Sequence, residues 1–333
     1  MKNLAYSLFL LAFTLFRFPL LAQTQPAYDA NLSDYAYRYP VNYLEVEQEG
    51  QKYRMAYMDV SPPRSFNNPQ TVVLLHGKNF MGAYWQQTVN FLAGQGFRVV
   101  VPDQLGFGKS DKAEVHYSFH QLAQHTRRLL DHLNINEAVV VGHSMGGMLA
   151  TRFALMYPEA TAKLVLENPI GLEDYRRMVP FKSLEELYQE ELKRTEESIR
   201  SYHKTYYTSW KQAYEEWVRI PAAQLRGPDQ PLVARVAAHT YAMIYEQPVV
   251  YELSDLQMPV LLAIGLEDRT VVGKAYIESE EERKLYGQYP QLGQQTAGAI
   301  PNARLLELKG VGHIPHIEAP DQFHKGLLDF LKQ

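Results

Sequence analysis

Val139-Val140-Val141-Gly142-His143-Ser144-Met145-Gly146-Gly147 is the stretch on which the reading of this chain turns. The β-branched run Val139 to Val141 reads as a buried strand. Gly142-His143-Ser144-Met145-Gly146 matches G-x-S-x-G, and Met145 to Tyr157 continues as an Ala/Leu/Met-rich helix. Strand, tight turn and helix form the context of a nucleophile elbow. Side chains at Gly142 and Gly146 would collide with backbone in so sharp a turn. The turn would hold the Ser144 hydroxyl proud of the sheet, at a helix N-terminus that favours developing negative charge.

Outward from the elbow, short apolar runs alternate with helical patterns. Strands are expected from Thr71 to Leu75, Arg98 to Val101, Leu164 to Leu166, Pro259 to Ile264 and Arg304 to Leu308. Val41 to Glu47 and Gln51 to Val60 alternate around Glu49-Gly50, which predicts an edge hairpin. Helices fit Trp85 to Leu92, a segment opening at Ser118 with capping-box spacing to Gln121, and Pro320 to Leu331 with Pro at its start. The fold class is therefore α/β, a mostly parallel central sheet flanked by helices. Sites in such sheets lie at the strand C-terminal ends.

Residues 171–253 break this alternation. A charged helical stretch (Ser183 to Ser198), an aromatic-rich one (Tyr202 to Val218), a breaker cluster (Pro221 to Pro231) and a further helix (Val233 to Tyr245) replace the core strand. They read as a helical insertion over the strand ends. Trp210, Trp217 and Tyr206 are the candidates for a substrate pocket wall, with packing onto the core as the alternative for each.

The 333 residues allow a large core, and a net charge of −4 gives no reason to expect nucleic acid. There is no cysteine, which excludes disulfides and Cys-based metal sites. No metal-binding spacing and no dinucleotide fingerprint is present, so neither metal nor cofactor is expected. At the N-terminus, Lys2 precedes an apolar run from Leu4 to Phe16, interrupted by Arg17 and Pro19, and Leu20-Leu21-Ala22 offers a cleavage site. Residues 1–22 thus read as a signal peptide, and residues 23–40 as a polar lead-in to a domain over 41–333. The mature protein is expected to be exported, periplasmic or secreted, without a stable membrane span; a retained anchor is the alternative. The oligomeric state is left open.

Taken together, His76-Gly77, Asp103 with Gly106-x-Gly108-x-Ser110, the elbow, Gly265-Leu266-Glu267-Asp268 and Gly312-His313 resemble the α/β-hydrolase fold family, in family order from about Val41 onward. The resemblance is to the serine-nucleophile branch with a helical cap after the sixth core strand. It implies the order Ser, acid, His, with Ser144 as nucleophile. His313 is the expected base and His316 its rival. Asp268 is the expected orienting acid, with Glu167 as the alternative and Asp103 pinning its own turn. His76 and His143 read as structural. The oxyanion donors would be the backbone N–H of Met145 and of Lys78, the residue after His-Gly. Lys78 is unusual there, and its side chain is expected to face solvent.

The activity implied is that of a serine hydrolase forming an acyl-enzyme. Its partner would be a small-molecule ester-like substrate, with apolar or aromatic acyl groups favoured by the cap aromatics. Hydrolysis of a carbon–carbon bond in a β-diketone, proline iminopeptidase activity, and a ligand receptor retaining the fold are the alternatives.

Overall fold

The computed structural model describes residues 26–63 and 70–333. The signal-peptide segment lies outside the described residues. Among the described residues one sheet of eight strands, numbered in chain order, runs in the order β1-β2-β4-β3-β5-β6-β7-β8. β1 (Val41–Gln48) and β2 (Gln51–Val60) form the expected edge hairpin, and β2 also pairs antiparallel with β4. β3 (Thr71–Leu75), β4 (Arg98–Pro102), β5 (Ala138–His143), β6 (Thr161–Glu167), β7 (Val260–Gly265) and β8 (Ala303–Leu308) are mutually parallel. The chain steps outward from β3 to β4 and returns to β5 on the other side of β3. The order therefore reverses between β3 and β5, and ligands of open α/β sheets collect at such a switch point.

Alternation along the strands builds two cores. Val73, Leu75, Val140, Leu164 and Leu262 point to one face, and Val72, Leu74, Val139, Val165 and Leu261 to the other. Of the helices, α1 (Gln86–Gly94) and α11 (Pro320–Leu331) cover the second face. On the first face lie α2 (Phe119–His132), α3 (Met145–Met156) and α9 (Tyr289–Ala299). Ser118 caps α2 as its spacing predicts, accepting from the Gln121 amide.

Between β6 and β7 the chain forms α4 (Leu184–Leu192), α5 (Glu196–Lys204), α6 (Glu215–Leu225) and α7 (Gln230–Glu246). Three details of the sequence reading change here, the first being that the aromatic-rich stretch Tyr202 to Val218 is not one helix, since α5 ends at Lys204 and α6 begins at Glu215. The charged stretch is two helices, because the Thr195 hydroxyl caps a second start by accepting from the Ser198 amide. Pro221 lies inside α6 rather than in a breaker cluster. Burial of Trp217, Val218, Ile220, Ala222 and Ala223 around it outweighs the lost backbone hydrogen bond. α8 (Glu280–Leu285) and α9 lie between β7 and β8, and α10 (Pro315–Glu318) precedes α11.

The lead-in is not merely polar. Leu32 is 1% exposed, and residues 26–40 strap the β6–β7 helices to the sheet domain. Tyr28 N–H donates to Ala223 O (3.0 Å) and Ala30 N–H to Asp229 Oδ2 (2.9 Å) on one side. On the other, Lys109 Nζ donates to Leu32 O (2.6 Å) and Tyr37 O–H to Asp103 Oδ2 (2.7 Å). Alternating tyrosines hid this role, because their rings pack while their hydroxyls bond.

Candidate active site

Ser144 sits between β5 and α3 with φ 56° and ψ −120°, a left-handed backbone that a residue other than glycine adopts only under constraint. The glycines around it permit the turn. A Cβ on Gly142 would lie 2.0 Å from Gly146 O, and one on Gly146 would lie 2.2 Å from Leu75 O. Met145 opens α3, so its amide lacks an intrahelical acceptor. The loop after β3 runs alongside: a Cβ on Gly77 would stand 3.2 Å from Ser144 Cβ.

Three side chains from three strand ends meet in one line. The Ser144 hydroxyl lies 3.0 Å from His313 Nε2, and His313 Nδ1 lies 2.6 Å from Asp268 Oδ2. His313 follows β8 and Asp268 follows β7. Asp268 also accepts from Thr270 N–H at Oδ1 (2.8 Å) and from Asn168 Nδ2 at Oδ2 (2.8 Å). Burial would push its carboxyl up, but the His313 ring and the His313 and Thr270 hydrogen bonds outweigh this and hold it below the usual carboxylate range.

A second buried network braces the line. His143 Nε2–H donates to His313 O (2.8 Å), leaving Nδ1 to accept from Tyr84 O–H (2.9 Å), whose oxygen in turn accepts from Gly77 N–H (3.0 Å). Burial takes His143 down to about 3, so the ring stays neutral. His316 is turned away from Ser144. Its backbone N–H (2.8 Å) and Nδ1 (3.0 Å) both meet Glu167 Oε1, and its ring stacks on Trp85 at 3.9 Å. Glu167 therefore partners His316 rather than His313, and burial pushes its carboxyl up to about 7. Asp103 pins its own turn, accepting from Gly82 N–H (2.6 Å) and Lys109 N–H (2.7 Å).

The line ends in a cavity of about 330 Å³ with Ser144 on its wall. Phe80, Ile170, Tyr202, Tyr206, Tyr241, Val271, Val272 and Tyr276 supply an apolar and aromatic lining, and Lys78, Glu190, Glu191, Arg194 and Lys274 a charged one.

The α/β hydrolase fold family model matches residues 70–320. This chain is an α/β hydrolase. Its structure is similar to a crystal structure described as a probable hydrolytic enzyme from Pseudomonas aeruginosa PAO1, at 46% identity and TM-score 0.90, over 92% of this chain and 99% of that one. It is 28% identical to a 2-hydroxy-6-oxononadienedioate/2-hydroxy-6-oxononatrienedioate hydrolase of Burkholderia vietnamiensis, over 87% of this chain and 95% of the relative. It is 27% identical to a 2-hydroxy-6-oxo-6-phenylhexa-2,4-dienoate hydrolase of Comamonas testosteroni, over 79% and 88% respectively.

Among the pocket candidates in this α/β hydrolase, only Tyr206 lines the cavity, where its ring stacks on His313 at 4.8 Å. Trp217 is packed against Phe80 and Tyr84 in the core, and Trp210 packs on Tyr207 and Tyr214 while its Nε1–H donates to Glu215 (3.2 Å). Both indoles thus pack against neighbouring aromatics away from the cavity, since covering their large apolar area is the stronger demand. The Lys78 side chain is not solvent-facing: it turns into the cavity, 14% exposed, with Nζ 4.0 Å from Glu191. Two contributors escaped the sequence reading. Asn168 fixes the acid's position by bonding Asp268 and, through Oδ1, Gly265 N–H (2.9 Å). A polar side chain at the end of a parallel strand was the available signal. The loop from Thr270 to Tyr276 forms a cavity wall without carrying any motif.

Proposed function

We propose that this α/β hydrolase is a serine hydrolase working through an acyl-enzyme, with carboxylic esters of small to medium size as its substrates. The hydrogen-bonded line from Ser144 through His313 to Asp268, ending on the cavity wall, carries this reading. Ser144 Oγ bonds to the ester carbonyl carbon as His313 Nε2 takes its proton, and Asp268 stabilises the imidazolium. The carbonyl electron pair moves onto oxygen, where we assign the Met145 and Lys78 amides as donors. Collapse breaks the carbon–oxygen bond, and the alcohol leaves with the proton from Nε2. Water then repeats the sequence on the acyl-enzyme, releasing the carboxylic acid and restoring Ser144.

A second reading, hydrolysis of a carbon–carbon bond in a ring-cleavage product, is favoured by the Burkholderia and Comamonas relatives. Fluorophosphonate labelling combined with parallel turnover of p-nitrophenyl esters and a β-diketone series separates the two. Labelling of Ser144 with ester turnover supports the first. Diketone turnover with inert esters supports the second, and labelling without any turnover overturns both in favour of a receptor. We also place the mature protein outside the cytoplasm. N-terminal sequencing from the native host is then expected to begin near Gln23, and intact Met1 on cytosolic protein would overturn that placement.

A further inference from the structure

A smaller chamber of about 110 Å³ adjoins the main cavity, since Lys78, Asn79, Phe80 and Arg194 line both. It is lined by three basic side chains, Lys78, Lys112 and Arg194, and by no carboxylate among the described residues. Lys78 and Arg194 share a single counter-ion, Glu191, at 4.0 Å and 3.0 Å, and burial holds the Lys78 ammonium below its ordinary range, which a bound anion would reverse. Lys112 Nζ donates to Gly108 O and Ser110 O, both at 2.8 Å, and burial brings its pKa down to about 7 although Asp103 and Asp111 favour the charged form, so it adds little fixed charge.

The deciding residue is His203. It is fully buried, it lines the chamber, and neither ring nitrogen has a hydrogen-bond partner among the described residues. An unpaired buried imidazole beside two basic side chains that share one carboxylate is costly unless a ligand answers both. A water-sized group occupies about 30 Å³, so the chamber holds a carboxylate with a carbon or two attached. The geometry points to an anion subsite that receives a carboxylate borne on one arm of the substrate ester, with Arg194, Lys78 and His203 as its donors. This inference rests on the serine-hydrolase reading. It also narrows the apolar preference expected from the cap aromatics, since one end of the substrate would be charged.

The test is kcat/KM for p-nitrophenyl hemiesters of succinate, glutarate and adipate against their methyl-capped counterparts, with acetate esters of ω-hydroxy acids against those of the matching alcohols. Charge-assisted hydrogen bonds in a buried site make the carboxylate members better by roughly tenfold or more. Arg194→Gln and His203→Phe are expected to collapse that ratio. Neutral esters turned over as well as the acids would overturn the subsite and leave the hydrolase reading standing. Acceleration of neutral-ester hydrolysis by free acetate would assign the chamber to a free anion instead, overturning the substrate-arm assignment. If no ester is turned over and Ser144 resists labelling, the hydrolase reading fails. Thermal stabilisation by glutarate, lost in Arg194→Gln, then still supports the anion subsite, and no stabilisation overturns it.

Discussion

Asp268 accepts three hydrogen bonds, from His313, Thr270 and Asn168, so its charge and its orientation are both fixed before a substrate arrives. Ser144→Ala and His313→Ala are each expected to lower kcat by about 10⁴-fold or more, with the double variant little worse, because the residues act as one unit. Asp268→Asn should be severe and Glu167→Gln mild; the reverse outcome would move the acid to β6. Asn168→Asp offers a sharper test. A second carboxyl would lie at hydrogen-bond distance from Asp268, and like charges that close cannot both ionise easily. At low pH the new acid is protonated and still donates to Asp268. As pH rises that proton leaves and the pair repels. Activity relative to the parent should therefore fall with rising pH in the pH–rate profile, whereas a uniform loss at every pH would mean a packing defect alone. Ser144 and His313 were legible because their motifs lie next to strands of clear pattern. Asn168 was not, because it acts only through another side chain that the fold brings 100 residues closer.

Elements between β6 and β7 divide into wall and filling. Trp217, 5% exposed among Phe80 and Tyr84, belongs to the filling. Trp217→Ala is expected to cost about 3–5 kcal/mol in denaturant unfolding while leaving the acyl-length profile in place. Tyr241→Ala should instead move the cutoff of kcat/KM across an ester series toward longer chains, since that ring is on the cavity wall. A shifted profile in the Trp217 variant, or an unchanged one in the Tyr241 variant, would reverse this division. Aromatic content announced a packed insertion, but not which rings face inward. Helix phase could not be counted across a segment where Thr195 restarts the helix and Pro221 fails to stop one.

At the scale of the molecule, burial holds several histidines neutral: His143 and His203 at about 3, His125 at about 4, and His316 well below its ordinary value. In the unfolded chain each recovers an ordinary pKa near 6.5. Between those values the unfolded state binds more protons, so stability rises with pH up to about 6.5 and is lost on acidification. Glu167 works the other way, because a folded pKa of about 7 above an unfolded 4.5 favours the native state at lower pH. Four histidines outweigh one carboxyl. Tm is therefore expected to drop from pH 6.5 to pH 5, and Glu167→Gln should make that drop steeper; a flat Tm would refute the assignment. The strand order came only with the structure, whereas the mostly parallel sheet, its edge hairpin and its two covered faces followed from strand pattern. The strap over residues 26–40 did not, since its value lies in partners two hundred positions away.

That separation has a consequence for synthesis on the ribosome. Ala30 docks on Asp229, 199 residues later, so the segment around Tyr28 and Ala30 lacks these partners until most of the protein has emerged, while Leu32 and Tyr37 can meet Lys109 and Asp103 much earlier. At about 5–20 residues per second, this leaves the segment unanchored for roughly 10–40 s. In nascent chains stalled before residue 223 the Tyr28 amide should exchange freely with solvent. After release, its bond to Ala223 should make it one of the last amides to gain protection.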